Sequence, residues 1–156
     1  MQIALKLHLD NTIKINDMKM ITMLGICVST ILLSCSANKK INVPAIPLYE
    51  TKWALKKIHT DAGVENVQTK AFIRFVELNK SAGGNGSCNS FGSSITINNN
   101  EISFTGVFST KMYCEEVQKT EDAYFKQLEK VTRFEIKGNT LSLYQGEKIL
   151  LEFASE

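Results

Sequence analysis

The sequence is poor in several things at once. Only two prolines occur in 156 residues, Pro44 and Pro47, and they fall together in one short polar stretch. Net charge is nearly absent: 18 Lys plus Arg stand against 16 Asp plus Glu, a formal +2, which is too balanced for the basic surface that nucleic acid requires. Nucleic acid is therefore not expected as a partner. The longest apolar run, Met20 to Leu33, would span about 21 Å as a helix, short of the roughly 30 Å hydrocarbon core, so a permanent membrane span is disfavoured. What is present, 44% hydrophobic and 22% charged residues, is the profile of one ordinary globular domain rather than a disordered, collagen-like or solenoid chain. Four cysteines in so short a chain admit two disulfides, a metal site or redox chemistry, and their placement has to decide among these.

From Met18 the chain reads Lys19, then the apolar run, then Ser34 and Cys35, which is the layout of a signal peptide. Leu32, Leu33, Ser34 and Cys35 resemble a bacterial lipobox, in which the Cys is lipidated and becomes the first residue of the mature protein. Residues Met1 to Asp17 do not fit, because Asp10, Asn11, Asn16 and Asp17 precede a signal that should open on a short cationic segment. Translation is expected to start at Met18. The domain plan is thus 1–34 as upstream extension and signal peptide, 35–47 as lipidated Cys35 and tether, and 48–156 as the folded domain. The membrane is the expected partner, through the N-terminal lipid anchor, since each buried CH2 is worth about 0.8 kcal/mol and stable anchoring needs more than one chain. The tether carries Asn38, Lys39, Lys40 and both prolines, has no acidic run, and points to an outer-membrane anchor facing the periplasm. The mature chain has 122 residues, with fifteen basic and fourteen acidic side chains.

Within the folded part, period-2 alternation appears at Ala71, Ile73 and Phe75, at Ile95 and Ile97, at Ile102 and Phe104, at Leu141 and Leu143, and at Ile149, Leu151 and Phe153. These read as strands. Asn98 to Asn100, Lys137 to Asn139 and Gln145 to Glu147 supply tight reversals between them, so the last third reads as an antiparallel meander. Val117, Tyr124, Leu128 and Val131 recur at helical spacing, with Glu121 and Asp122 early and Lys126 and Lys130 late, as the helix dipole favours. The expected fold is mainly β with one helix (α+β): a small curled antiparallel sheet or partly open β-barrel with the helix packed over one end. Trp53, Phe72, Phe75, Phe91, Phe104 and Phe134 read as core rather than as a ligand cage.

Gly83, Gly84, Gly86 and Gly92 crowd a ten-residue stretch around Ser87, Cys88 and Asn89. A P-loop would need Lys and Ser or Thr after its last Gly, and neither follows. The stretch reads as a turn that brings backbone close to a neighbouring strand, with a contact surface as the alternative. A second stretch, Ser109 to Cys114, stands directly before the helix. Cys27 leaves with the signal peptide and Cys35 takes the lipid, so Cys88 and Cys114 remain as partners for one disulfide. Redox chemistry would want a C-x-x-C pair and zinc two more ligands, so no metal or cofactor is expected.

The order of these motifs, Trp53 with Leu55, then Gly84, Gly86, Cys88 and Asn89, then Thr110, Lys111, Met112 and Cys114, then Glu121 on the helix and Leu141 with Leu143 on a strand, resembles the META domain family of heat-shock lipoproteins (HslJ-like). Two departures stand out. Lys111 replaces an Arg, and Ser87 replaces the Gly that precedes the Cys. The resemblance implies a small β-barrel with one helix and says little of activity beyond envelope proteins tied to stress tolerance. The leading expectation is a non-enzymatic, lipid-anchored envelope module that binds an unidentified protein or small molecule or protects against stress. A carrier holding a small apolar ligand or lipid chain inside the barrel is the second reading. A hydrolase using His59, near Asp61 in sequence, is the third and weakest, because nothing arranges a triad around it.

Overall fold

The structure, a computed structural model, describes residues 46–156; the segments read from the sequence as signal peptide, lipidated Cys35 and tether up to residue 45 lie outside the described residues. Nine strands and one helix follow in the order β1 (Trp53–Thr60), β2 (Gly63–Asn66), β3 (Phe72–Val76), β4 (Ser81–Asn85), β5 (Ser90–Asn98), β6 (Glu101–Ser109), α1 (Gln118–Leu128), β7 (Arg133–Lys137), β8 (Thr140–Gln145) and β9 (Lys148–Ser155). All strand pairings are antiparallel, and β1 pairs with β9 as well as with β3, so the sheet returns on itself as a ring. Short β2 lies along β1 beyond the end of the β1–β3 ladder. The narrowest seam is β6–β7, a single residue pair, Glu101 with Arg133, flanked by the bonds Ile102 N–H to Thr132 O and Phe134 N–H to Asn100 O.

Alternation decides which side chains enter the ring. Trp53, Leu55, Ile73, Phe75, Ile95, Ile102, Leu141, Leu143, Leu151 and Phe153 are all buried in one cluster. The Trp53 indole donates to Leu48 O and ties the entering chain to the core. Helix α1 lies across one end of the ring and inserts Tyr124 and Leu128, both fully buried, against β1 and β9. It is shorter than the apolar stripe: Val117 is its N-cap and Val131 lies past its end, held by a bond to Leu128 O as the chain turns into β7.

Strands β1, with Trp53, Ala54 and Leu55 buried in succession, and β7, half-buried along most of its length, lie outside the alternation, and three further features depart from it. Strand β2 is exposed at every residue, so it has no alternation to read. The ladder between β8 and β9 shifts register between Leu143 and Tyr144, which buries Leu150 and Leu151 in succession and breaks the period at that point. The third is the glycine stretch, which is mostly strand. Gly83 and Gly84 belong to β4 and Gly92 to β5, leaving only Gly86 to Asn89 as the turn. The glycines are there because strands approach closely: a Cβ on Gly84 would strike the Phe72 carbonyl of β3. Phe72 itself faces outward, half-buried, with the Lys52 ammonium 5.2 Å and the Arg74 guanidinium 5.9 Å from its ring centroid, and so is not a core residue.

Because the neighbour of Gly84 is backbone, Gly84→Ala forces the sheet apart rather than a side chain aside. It is expected to lower unfolding free energy by about 2 kcal/mol or more, whereas Ser94→Ala on the outer face of β5 stays within about 0.5 kcal/mol. Denaturant titration of both variants checks this, and equal midpoints would contradict it.

Candidate functional site

The motif residues meet at the end of the ring that α1 covers. The turn between β4 and β5 is closed by Gly86 N–H to Asn89 O at 2.7 Å. Gly86 has no room for a side chain, since a Cβ there would strike the Phe125 ring and the Glu121 carboxyl. Glu121, in the first turn of α1 and buried, accepts three hydrogen bonds: from Cys88 N–H (3.0 Å), Asn89 N–H (2.6 Å) and the Asn89 side-chain amide (2.6 Å). The same Asn89 amide donates to Met112 O (2.9 Å), and its carbonyl accepts from the Thr110 hydroxyl (2.7 Å) and Met112 N–H (2.8 Å). Two side chains thus hold three chain segments together. A disulfide between Cys88 and Cys114, with Cα atoms 6.0 Å apart, joins two of the same segments. A loop of that length is worth about 3.5 kcal/mol in the chain-entropy model.

Ser87 occupies the strained position of the turn. Its φ is 127°, in the region that glycine adopts freely and other residues rarely do, which suits the Gly expected there from the resemblance. The serine is held by Thr69, hydroxyl to hydroxyl at 2.8 Å, and by its own N–H donating to Asn85 Oδ1. Lys111, the other departure, is exposed beside Met112 and Tyr113 and contacts none of the buried network. Trp53, Leu55, Leu141 and Leu143 are core, remote from the turn in sequence and joined to it only through the packed interior.

His59 lies within β1. Its Nε2 is 2.7 Å from Glu152 Oε1 on β9, and Lys57 reaches the same carboxylate at 3.4 Å. Asp61 instead pairs with Lys148 at 2.6 Å, so the sequence neighbours His59 and Asp61 do not form a unit. Among the described residues no Ser, Thr or Cys side chain hydrogen-bonds to His59, whose ring nitrogen is taken by Glu152. No group of three or more metal-ligating side chains is found among the described residues either.

The interior of the ring holds the buried cluster of aliphatic and aromatic side chains built around Trp53, Phe75, Tyr124 and Phe153. The grooves lie on the surface: about 600 Å³ over the outer face of β3 to β6 between Arg74 and Phe108, about 430 Å³ beside the β6–β7 seam, and about 260 Å³ between the Ser109–Tyr113 segment and the start of α1. The Tyr124 hydroxyl is buried without a hydrogen-bond partner, and burial pushes its pKa well above that of an ordinary phenol. It packs among Phe91, Phe125 and Phe153, and nothing in the structure gives it a chemical task.

A family model, the META domain, matches residues 46–156, the whole of the described fold. The chain belongs to the META domain family. An NMR structure of a protein from Burkholderia xenovorans superposes with a TM-score of 0.60 at 20% identity, covering 70% of this chain and 83% of that one. A second protein structure solved by NMR gives 0.53 at 19% identity, covering 69% and 91%. At such identities these likenesses show the fold alone. No curated protein matches the chain. Within this META domain, then, Glu121, Asn89 and the two cysteines are placed as scaffold.

The Glu152 cluster carries a pH signature. Burial works to raise the pKa of Glu152, but the hydrogen bonds and charges of His59 and Lys57 outweigh it and hold the group below its ordinary value. A depressed carboxylate pKa gives stability that is complete above the ordinary Glu range and is lost as pH falls through the depressed value. Glu152→Gln is expected to cost on the order of 0.5 kcal/mol at neutral pH, and that cost shrinks as pH falls through the ordinary Glu range and on through the depressed value. Urea unfolding at several pH values measures the difference, and a constant offset down to the lowest pH would contradict it.

Proposed function

We propose that this chain is a non-catalytic, lipid-anchored module of a bacterial envelope, held in the outer membrane facing the periplasm, which works by presenting the rigid outer surface of its META domain to a partner. The observation that carries the non-catalytic part is where the motif side chains are committed. Glu121 and Asn89 use their polar atoms on backbone, on the Thr110 hydroxyl and on each other, and Cys88 and Cys114 are bonded together. A catalytic acid, base or nucleophile has to face substrate, and these face one another. A filled interior argues for the outer surface over a carrier cavity. The anchor rests on the lipobox-like Leu32 to Cys35, and the disulfide suits the oxidising compartment that an envelope address supplies.

The anchor is tested on the native protein. Mass spectrometry is expected to find an acylated Cys35 as the mature N-terminus, and Cys35→Ser is expected to move the protein from the membrane fraction to the soluble one. An unmodified Cys35 within a longer chain would contradict the proposal.

A further inference from the structure

The antiparallel ring sorts its connections between two ends. The β1–β2 turn, the Gly86–Asn89 turn, the crossings into and out of α1 and the β8–β9 turn lie at the helix end. The β3–β4, β5–β6 and β7–β8 turns lie at the other, and so does the start of β1. The chain enters there: Tyr49 bridges Phe75, Glu50 N–H donates to Phe75 O, and the path reverses at Glu50 (φ 61°) into β1. Three residues beyond Phe75 stands Leu78, 97% exposed at the tip of the β3–β4 turn.

Leu78 is held out by an ordered turn. Lys80 N–H donates to Glu77 O (3.2 Å), Ser81 Oγ to Asn79 Oδ1 (2.6 Å), and Ile95 N–H of β5 to Lys80 O (2.8 Å). Each of these bonds is made by backbone or by Asn79 and Ser81, so a polar side chain at 78 would serve the turn equally well. Leu78 presents its whole side chain to whatever lies beyond this tip, and the entry point of the chain says what that is. Only ten residues separate Cys35 from Ile46, a reach of at most about 40 Å. If Cys35 carries the lipid, as the proposed function holds, the bilayer surface lies within that distance of this end.

We propose that the helix-free end of the ring lies against the phospholipid surface, with Leu78 inserted at the level of the upper acyl chains, and that α1 and the Thr110–Cys114 loop face away from it. This inference rests on the lipid anchor. The end carries both signs, Lys80 and Lys137 against Glu50 and Glu77, so lipid charge does not select the contact and uncharged phosphatidylcholine suffices. The orientation leaves the loop bearing exposed Met112 and Tyr113 free for whatever the module meets.

The test uses the full lipidated chain in phosphatidylcholine vesicles whose acyl chains are brominated. Native Trp53, fully buried, supplies a constant background. Leu78→Trp is expected to show a blue-shifted emission that the brominated chains quench, while Tyr113→Trp at the helix end is not quenched. Retention on vesicles with Leu78→Trp unquenched, or with Tyr113→Trp quenched instead, would overturn the orientation alone. A wild-type chain that vesicles do not retain would overturn the anchor and the orientation with it.

Discussion

The carboxyl of Glu121 is the point on which the functional end of this molecule depends. It sits in the first turn of α1, away from water, and satisfies two consecutive backbone N–H groups of a strand turn that has no ladder to bond them. Asn89 doubles the arrangement by using both ends of its amide, one on Glu121 and Met112 O, the other on Thr110 and Met112 N–H. Removing either leaves donors buried without acceptors, each costing about 1–3 kcal/mol, which is more than a typical formed hydrogen bond contributes. The helix is thereby bonded to the turn as well as packed on the ring, and the loop that precedes it is fixed from two sides.

This arrangement explains why the motif has its composition. Gly86 is required because helix side chains occupy the space of its Cβ, and the position before Cys88 favours Gly because its φ is positive. Ser87 stands at that position here, with Thr69 and Asn85 bonding to it. The disulfide and the hydrogen-bond network span overlapping segments by different physics, one restricting the unfolded chain and the other stabilising the folded one.

Much of the fold was legible because burial on one face imposes a period. The β3, β5, β6, β8 and β9 stripes, the helix and the meander all follow from it, as does the assignment of Trp53 and Phe75 to the core. Strands β1 and β7 also lie outside those stripes, the first burying three residues in succession and the second half-buried along most of its length. Strand β2 buries nothing, β4 is built of Ser, Ala, Gly and Asn whose small side chains carry no pattern, and the β8–β9 irregularity puts two buried leucines in succession. Glu121 and Asn89 were recognisable as motif members, but their partnership was not, because the contact joins residues 32 apart through backbone groups that have no letter in the sequence. The Glu152 partner of His59 was missed for the same kind of reason: cross-strand neighbours 93 residues apart leave no local signal.

The central claim is that the motif residues are a coupled scaffold. The direct measurement is a double-mutant cycle on Asn89→Ala and Glu121→Ala by equilibrium unfolding of the oxidised domain. The account predicts that each single change destabilises strongly and that the pair is less than additive, with a coupling of about 1–3 kcal/mol. Additive effects, or single variants that unfold like the parent, would contradict it.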